Sequence, residues 1–228
     1  MGEKPNESFP LPALQEGCFA LSRRPAVARG TPALDVAGPM TRHAPAPFLF
    51  VDVEASSLHE GGFPIEVAWV TQDGVPESYL VHPQEGWAEW CTQAARLHGL
   101  TLTMLHAHGK AAQDVAHRFV QVARGRRVVS DATAFDGAWL SMLCDAAGLA
   151  APPLLPVQLA YAEAVGPLLD HSASRSVQAR MALQIVDHHE ADEDARNRVR
   201  HRALHDAWSL FRIWRAIAGV PASPDPPV

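Results

Sequence analysis

Two carboxylates, Asp52 and Glu54, stand two residues apart in "FLFVDVEAS". The residues around them (Phe48, Leu49, Phe50, Val51 and Val53) have the composition of a central buried strand. Strand side chains alternate, so both acids face the same side. Side by side in such a place they repel each other, and desolvation raises both pKa values. A divalent cation is the economical compensation. A strand end whose acids reach water is the other reading, and an isolated D-x-E does not choose between them. A further acid, Asp136, follows Phe135 at the start of an expected helix, where the helix dipole alone would favour it. Taken by itself it reads as a helix-terminal acid rather than a ligand, and Asp131 competes for the same role. Near the end of the chain, "HRALHDA" at 201–207 carries His201 and Asp206. Five residues of α-helix turn through about 500°, leaving the two side chains ~140° apart. They meet at one site only if His201 lies on a loop or a frayed first turn, and the charged, poorly periodic "EADEDARNRVR" before it is consistent with that. The spacing therefore predicts a fixed Asp206 on the helix and a movable His201 on its approach.

These side chains need a domain to hold them. The chain has 228 residues and is 47% apolar, enough for one sizeable core. No apolar run approaches the ~20 residues that span a bilayer, and the N-terminus lacks the basic and apolar pattern of a secretory signal. Three cysteines, Cys18, Cys91 and Cys144, show no C-x-x-C or disulfide spacing, which favours a reducing, cytoplasmic setting. The net charge of −6 argues against a protein that coats long nucleic acid, since such affinity comes from neutralising phosphates. It leaves room for a small site that takes a strand end or a short oligonucleotide. A cluster of acids would itself push the charge negative, with metal ions restoring the local balance.

Eight of the nineteen prolines lie between Pro5 and Pro47, so residues 1–46 read as a mobile arm. Met40 sits just before the expected domain, which makes a later natural start conceivable. Residues 221–228, "PASPDPPV", read as a disordered tail, and 47–220 as the folded domain. Strands are expected from Phe48, at 64–71 ("PIEVAWVT") and at 77–83 ("ESYLVHP"), with short connections that suit antiparallel pairing. Helices are expected in "GWAEWCTQAARLHG", "TLTMLHAHG" and "AAQDVAHRFVQVARG", the last with Val115, Phe119 and Val122 at helical spacing. A short strand "RRVVSD", a helix "AFDGAWLSMLCDAAGL", a fifth strand "PVQLA", helical residues 170–186 and a terminal helix follow. Leu204, Trp208, Phe211 and Trp214 supply that last helix with its apolar stripe. The fold class is α/β, with a central five-stranded mixed sheet flanked by helices.

Taken together, these segments resemble the DEDDh branch of 3′–5′ exonucleases, the family of proofreading exonuclease subunits of the DNA polymerase III epsilon type, ribonuclease T and oligoribonuclease. "FVDVEAS" at 50–56 is similar to its first motif, "VVSDATAFDGAWL" at 128–140 to its second, with the aspartate on Asp136, and "HRALHDA" to its third. "RLHGLTLTML" at 96–105 resembles the family's segment beside the nucleotide pocket. The likeness covers about residues 47–215, with the motifs in the family's order. Two departures stand out: the family's His-Asn pair before the second Phe-Asp is Asp131 and Ala132 here, and Ser56–Ser57 replace a Gly-Thr-like pair.

The resemblance implies a ribonuclease H-like fold, its first three strands antiparallel and its last two parallel. It implies that Asp52, Glu54, Asp136 and Asp206 bind two divalent cations, Mg²⁺ or Mn²⁺, for which carboxylate oxygens are suited. It makes His201 the general base, since imidazole titrates near working pH. The reaction would be stepwise hydrolysis from the 3′ end of single-stranded DNA or RNA, releasing nucleoside 5′-monophosphates. Ala55, Ser56, Ser57, Leu58, His98 and Phe135 would line the terminal nucleotide, with Leu58 or Phe63 wedged against a base. Ordinary turn and core roles are the competing reading for all of these. Arg196, Arg198, Arg200 and Arg202 could touch phosphates but read more readily as a solvated face. Trp87 and Trp90, three apart on an expected helix, read as core rather than as base-stacking residues. "HAH" at 106–108 and "DHH" at 187–189 lack the spacing that completes a zinc site. No membrane partner is expected. A homodimer, as related nucleases often form, and a polymerase or repair partner are left open. The competing function is a catalytically silent nuclease fold that only binds nucleic acid or serves as a scaffold.

Overall fold

A computed structural model describes residues 45–196 and 201–221. The proline-rich arm up to residue 44, with Met40 and Cys18, lies outside the described residues. So do Arg198, Arg200 and the tail from residue 222.

Six strands form one sheet in the order β4-β3-β2-β1-β5-β6. Strand β1 (Phe48–Ala55) is central and β2 (Pro64–Thr71) runs antiparallel to it, pairing Asp52 with Ala68 and Glu54 with Glu66. Strand β3 (Pro76–His82) is antiparallel to β2. On the other side of β1, β5 (Arg127–Ser130) and β6 (Leu154–Pro156) run parallel to it. This is the expected ribonuclease H-like α/β architecture, with one strand more than expected. The extra strand, β4 (Lys110–Ala111), pairs with Val81 and His82 and is two residues long, too short for any periodicity to reveal.

Strand β1 alternates between two cores, as its period of two requires. Leu49, Val51 and Val53 face α3 (Ala112–Ala123) and α4 (Thr133–Asp145), packing with Val115, Phe119, Leu140 and Leu143. Phe48 and Phe50 face α5 (Gln158–Val165) and α7 (Ala203–Ile217), packing with Tyr161, Phe211, Trp214 and Ile217. Asp52 and Glu54 share the parity of Phe48 and Phe50, so they project on the α7 side. The buried face of α7 is broader than the expected stripe: Ala203, Ala207 and Leu210 are buried, whereas Leu204 is only half-buried. The small Ala203 and Ala207 let the start of the helix approach the sheet closely.

Three further expectations are corrected. The fifth strand is not "PVQLA" but Leu154–Pro156, because Pro156 has no N–H to extend the ladder and a helix begins at Gln158. In "GWAEWCTQAARLHG" only α1 (Thr92–His98) is helical, so Trp87 and Trp90 lie in the preceding loop, where both pack against Phe63. Helix α6 (Arg175–Arg196) runs through "HEADEDAR", where an irregular approach was expected. That stretch lacks an apolar stripe, but Ala, Glu and Arg are good helix formers. One buried carboxylate, Glu193, ties α6 to α7 by accepting from Ser209 Oγ (2.9 Å) and Arg212 Nε (3.0 Å). A short helix, α2 (Leu102–His108), and a 3-10 turn at Gly166–Leu168 complete the fold.

Since Phe211 is buried and touches Phe50, Trp208 and Trp214, Phe211→Ala is expected to destabilise the domain by about 3–5 kcal/mol. Thermal unfolding should show a loss of about 2–4 °C per kcal/mol. Leu183→Ala, at an exposed site on α6, should stay within about 0.5 kcal/mol of wild type. Equal shifts for the two would contradict the packing described.

Candidate active site

The site is built where β1 outruns its neighbour. Strand β5 pairs with β1 only from Phe48 to Phe50, so the β1 edge beyond that point has no ladder partner on this side. Main-chain groups left there need other partners. The N–H of Val53 finds one in the carboxylate of Asp136, which enters from the first turn of α4. The Ser130 hydroxyl donates to that same carboxylate, and Ser130 Oγ in turn accepts from Ala132 N–H at 2.9 Å. Asp136 is therefore fixed by the end of β5, the edge of β1 and its own helix. On the other pairing edge of β1, the register slips between Glu54 and Ala55, a bulge of the kind that re-aims side chains beside functional sites.

Two triads of carboxylates result. The oxygens of Asp52, Glu54 and Asp206 lie within 4.8 Å of one another, and so do those of Asp52, Asp131 and Asp136. Asp52 belongs to both. The four acids singled out in the sequence thus converge from β1, α4 and α7, and Asp131 joins them. By sequence Asp131 and Asp136 compete for one role; the fold brings both in, because it places the end of β5 and the start of α4 against Asp52. Among the described residues these are the only groups of three histidine, cysteine or acidic side chains so placed. The runs at 106–108 and 187–189 complete no such group. His106 meets His82 at 3.3 Å, and His188 lies 3.8 Å from Asp192.

The electrostatics follow from crowding in a poorly solvated place. Burial, then Asp136, Glu54, Asp206 and Asp131, push the Asp52 carboxyl well above the usual carboxylate range. Burial, then the charges of Asp206, Glu66 and Asp136, push Glu54 up to about 8, opposed by Arg202. Burial raises Asp136 to about 7, against the hydrogen bonds from Ser130 and Val53. Carboxylates arranged so that they resist ionising fit a divalent cation, and an all-oxygen donor set suits a hard one.

His201 lies before α7, as its spacing from Asp206 requires. It is exposed, and its φ of 63° is left-handed, an uncommon backbone for a residue other than glycine. Its N–H donates to Asp206 Oδ2 at 3.0 Å, so the histidine's backbone is tied to the acid. His205 is half-buried, and its Nδ1 has no hydrogen-bond partner among the described residues.

The remaining residues fall into two groups. Leu58 and Phe135 are exposed, and Ala55 is half-buried at the end of β1. Ser56 and Ser57 are fully buried and shape the 56–63 turn: Ser56 Oγ accepts from Phe63 N–H and Ser57 Oγ from His59 N–H, each at 3.0 Å. Gly62 is required in this turn, since a Cβ there would stand 2.2 Å from the Ser57 carbonyl oxygen. Phe63 is fully buried, stacked with Trp87 at 5.5 Å, so it packs the core and is not available as a wedge. His98 is buried, and its Nδ1 accepts from Leu100 N–H at 3.0 Å. Burial, with Arg202 and His201 adding to it, lowers His98 to about 4 despite the opposing charge of Glu66. The ring is therefore neutral with its proton on Nε2, a buried donor without a partner among the described residues.

One feature of the site was missed in the sequence. Glu66, in the otherwise apolar "PIEVAWV", is 2% exposed and bound to Arg202. A charged residue in a fully buried strand is almost always paired, and that rule applied to Glu66 would have called for a cation. Arg202 is accordingly not part of a solvated arginine face.

No family model matches the chain, and no curated protein does. Solved structures share its fold. The zinc-bound complex of E. coli exonuclease I with single-stranded DNA matches with a TM-score of 0.54 at 14% identity, over 75% of this chain and 40% of that one. The E. coli exonuclease I complex with a dA16 oligonucleotide gives 0.54 at 13% identity, over 76% and 42%. A further exonuclease I structure gives 0.52 at 15% identity, over 75% and 41%. The chain thus shares the fold of the matched part of exonuclease I and spans about two fifths of the length of those proteins.

The raised carboxylates set a pH dependence. A carboxyl whose folded pKa lies above its unfolded value destabilises the fold progressively as pH rises through the gap between the two. With Asp136 near 7 and Glu54 near 8, stability in EDTA should fall from about pH 4 to about pH 8. Mn²⁺ should raise the melting temperature more at pH 8 than at pH 6. Asp52→Asn should raise the melting temperature in EDTA at pH 8 and abolish most of the Mn²⁺ response. A Mn²⁺ response that is equal at both pH values would contradict this electrostatic account.

Proposed function

We propose that the chain is a metal-dependent 3′–5′ exonuclease domain of the DEDDh type, spanning residues 47–220 and acting on the 3′ end of single-stranded nucleic acid. The observation that carries this reading is the convergence of Asp52, Glu54, Asp136 and Asp206 from three separate elements, with His201 bonded through its backbone to Asp206. The shared fold of exonuclease I, solved with single-stranded DNA bound, supports it.

Asp52, Glu54 and Asp206 would hold one divalent cation and Asp52 with Asp136 a second, Mg²⁺ or Mn²⁺, with Asp131 as an added carboxylate beside the latter. When bound, such a pair supplies positive charge that activates a water and stabilises the leaving 3′ oxygen. His201, exposed on the approach to α7, takes the proton from that water. Asp206 keeps the histidine segment near the acids through its bond to the His201 N–H. Leu58 and Phe135 offer exposed apolar surface to the terminal nucleotide, and the Nε2–H of His98 is a donor held in reserve for a substrate oxygen. Products are nucleoside 5′-monophosphates. The silent-module reading is less favoured, because a fold kept only for binding has no reason to retain a cluster of acids that resist ionising.

Incubation of 3′-labelled single-stranded DNA, RNA and short oligoribonucleotides with Mg²⁺, Mn²⁺ or EDTA tests the proposal. Wild type should release labelled mononucleotides only with metal. Asp52→Asn and Asp206→Asn should abolish release, and His201→Ala should slow it by about 10²–10⁴-fold while sparing metal binding. A well-folded wild type that leaves every substrate intact would favour the binding module. An unchanged rate in His201→Ala would remove His201 as the base.

A further inference from the structure

Opposite Glu54 in the β1–β2 ladder stands Glu66. Two carboxylates facing each other across an antiparallel pair destabilise it. Glu66 is nonetheless buried and saturated with donors. Arg202 reaches it with both arms of its fork, Nε to Oε2 and Nη2 to Oε1, each at 2.9 Å. The N–H of Ala203 donates to Oε2 at 3.1 Å and the Ser78 hydroxyl to Oε1 at 3.2 Å. Three of these four bonds come from two consecutive residues, and those two directly follow His201.

We infer that the Glu66–Arg202 pair is a latch that positions His201 for proton transfer. Both are positioning residues: they act through the main chain of residues 201–203 and are not assigned any contact with substrate. The inference rests on the exonuclease reading of His201. Its physical basis is the bidentate geometry, which fixes orientation as well as distance. His201 has a φ of 63°, and Arg202, extended at φ −135° and ψ 120°, is the N-cap of α7. A left-handed histidine relaxes to commoner backbone unless both sides of it are held. Asp206 holds one side through the His201 N–H, and Glu66 holds the other through Arg202 and Ala203. The acids do not depend on the latch in the same way. Asp52 and Glu54 lie on β1, Asp136 is fixed by Ser130 and Val53, and the buried apolar face of α7 keeps Asp206 in place. Loss of the latch should therefore misplace the base and spare the metal ligands. Arg202 is the side to change, because Glu66 stands directly opposite Glu54 and weighs more on its carboxyl than Arg202, the smallest of the influences there.

The experiment uses the full chain as wild type, Arg202→Lys, Arg202→Ala, His201→Ala and the double variant His201→Ala/Arg202→Ala. In Arg202→Ala, kcat should fall about 10–100-fold, while KM and the half-saturating Mn²⁺ concentration move less than about threefold. Arg202→Lys keeps the charge without the planar fork, should recover only part of the rate, and guards against misfolding of Arg202→Ala. The double variant should be no slower than His201→Ala alone, since a base already absent cannot be misplaced. Amide hydrogen exchange at His201 and Ala203 should quicken about tenfold or more in Arg202→Ala, a readout that needs no activity. Losses that multiply in the double variant, or unchanged exchange at both amides, overturn the latch. A wild type that degrades no strand overturns the exonuclease reading itself, and with it the base. Exchange on the same samples tells that outcome apart from a failure of the latch.

Discussion

Like charges crowded into a poorly solvated pocket set the terms for the rest of this structure. Asp52 and Glu54 project from the central strand, Asp136 and Asp206 are brought to them, and Glu66 faces Glu54 across the ladder. Each additional carboxylate raises the cost of ionising the others, on top of the cost of burial. A fold tolerates this only if the surrounding elements are fixed strongly enough to hold the groups together. Here that comes from aromatic packing of α7 on β1 and β2, from α4 seated on the opposite face, and from the hydrogen bonds around Asp136. The site sits at the end of β1 because a strand that outruns its parallel neighbour leaves an open edge with unpaired main-chain groups. Ligands of open α/β sheets gather at such places, beyond the carboxyl ends of the strands.

Much of this was legible in the sequence, for a local reason. Period-two alternation placed Asp52 and Glu54 on one face, and the five-residue spacing of His201 and Asp206 was incompatible with a single helical site. The fold resolves that spacing by starting α7 at Ala203 and leaving His201 outside it. What local pattern could not show is pairing across long sequence distances. Arg202 and Glu66 are 136 residues apart, and no periodicity in either segment points to the other. Asp131 joined the acid cluster only once the end of β5 was set beside β1. The family resemblance offered Phe63 as one of two candidate wedges, yet the loop carrying Trp87 packs against it. The charged part of α6 reads as irregular because it lacks amphipathicity: its contact with α7 runs through one buried glutamate rather than an apolar stripe.

The likeness to exonuclease I separates what the fold requires from what the chemistry requires. At 13–15% identity most side chains differ, yet the fold is shared over about three quarters of this chain. Cores accept such exchange provided volume and pattern are kept. A constellation of carboxylates does not, because its members must meet within a few ångströms. The acids are therefore the sharper guide to activity, and the packing of α4 and α7 is the sharper guide to why they meet.

The Glu66–Arg202 pair shows how an ion pair with one buried partner can matter without adding much stability. Desolvating Glu66 offsets part of the attraction, and solvent at the half-buried Arg202 weakens the rest, so an apolar pair of similar volume would hold β2 to α7 about as well. Such a pair could not do two things that this one does. It could not oppose the charge beside Glu54, where Arg202 lowers and Glu66 raises the carboxyl's pKa. Nor could it fix the direction in which the chain enters α7 at Arg202, because apolar contacts restrain distance far more than angle. A fork bound at both oxygens restrains angle directly. The segment carrying the proposed base therefore begins from a point of defined orientation on the same strand pair that carries Glu54. Nearest-neighbour register across the sheet, rather than sequence proximity, links the proposed base to the metal ligands.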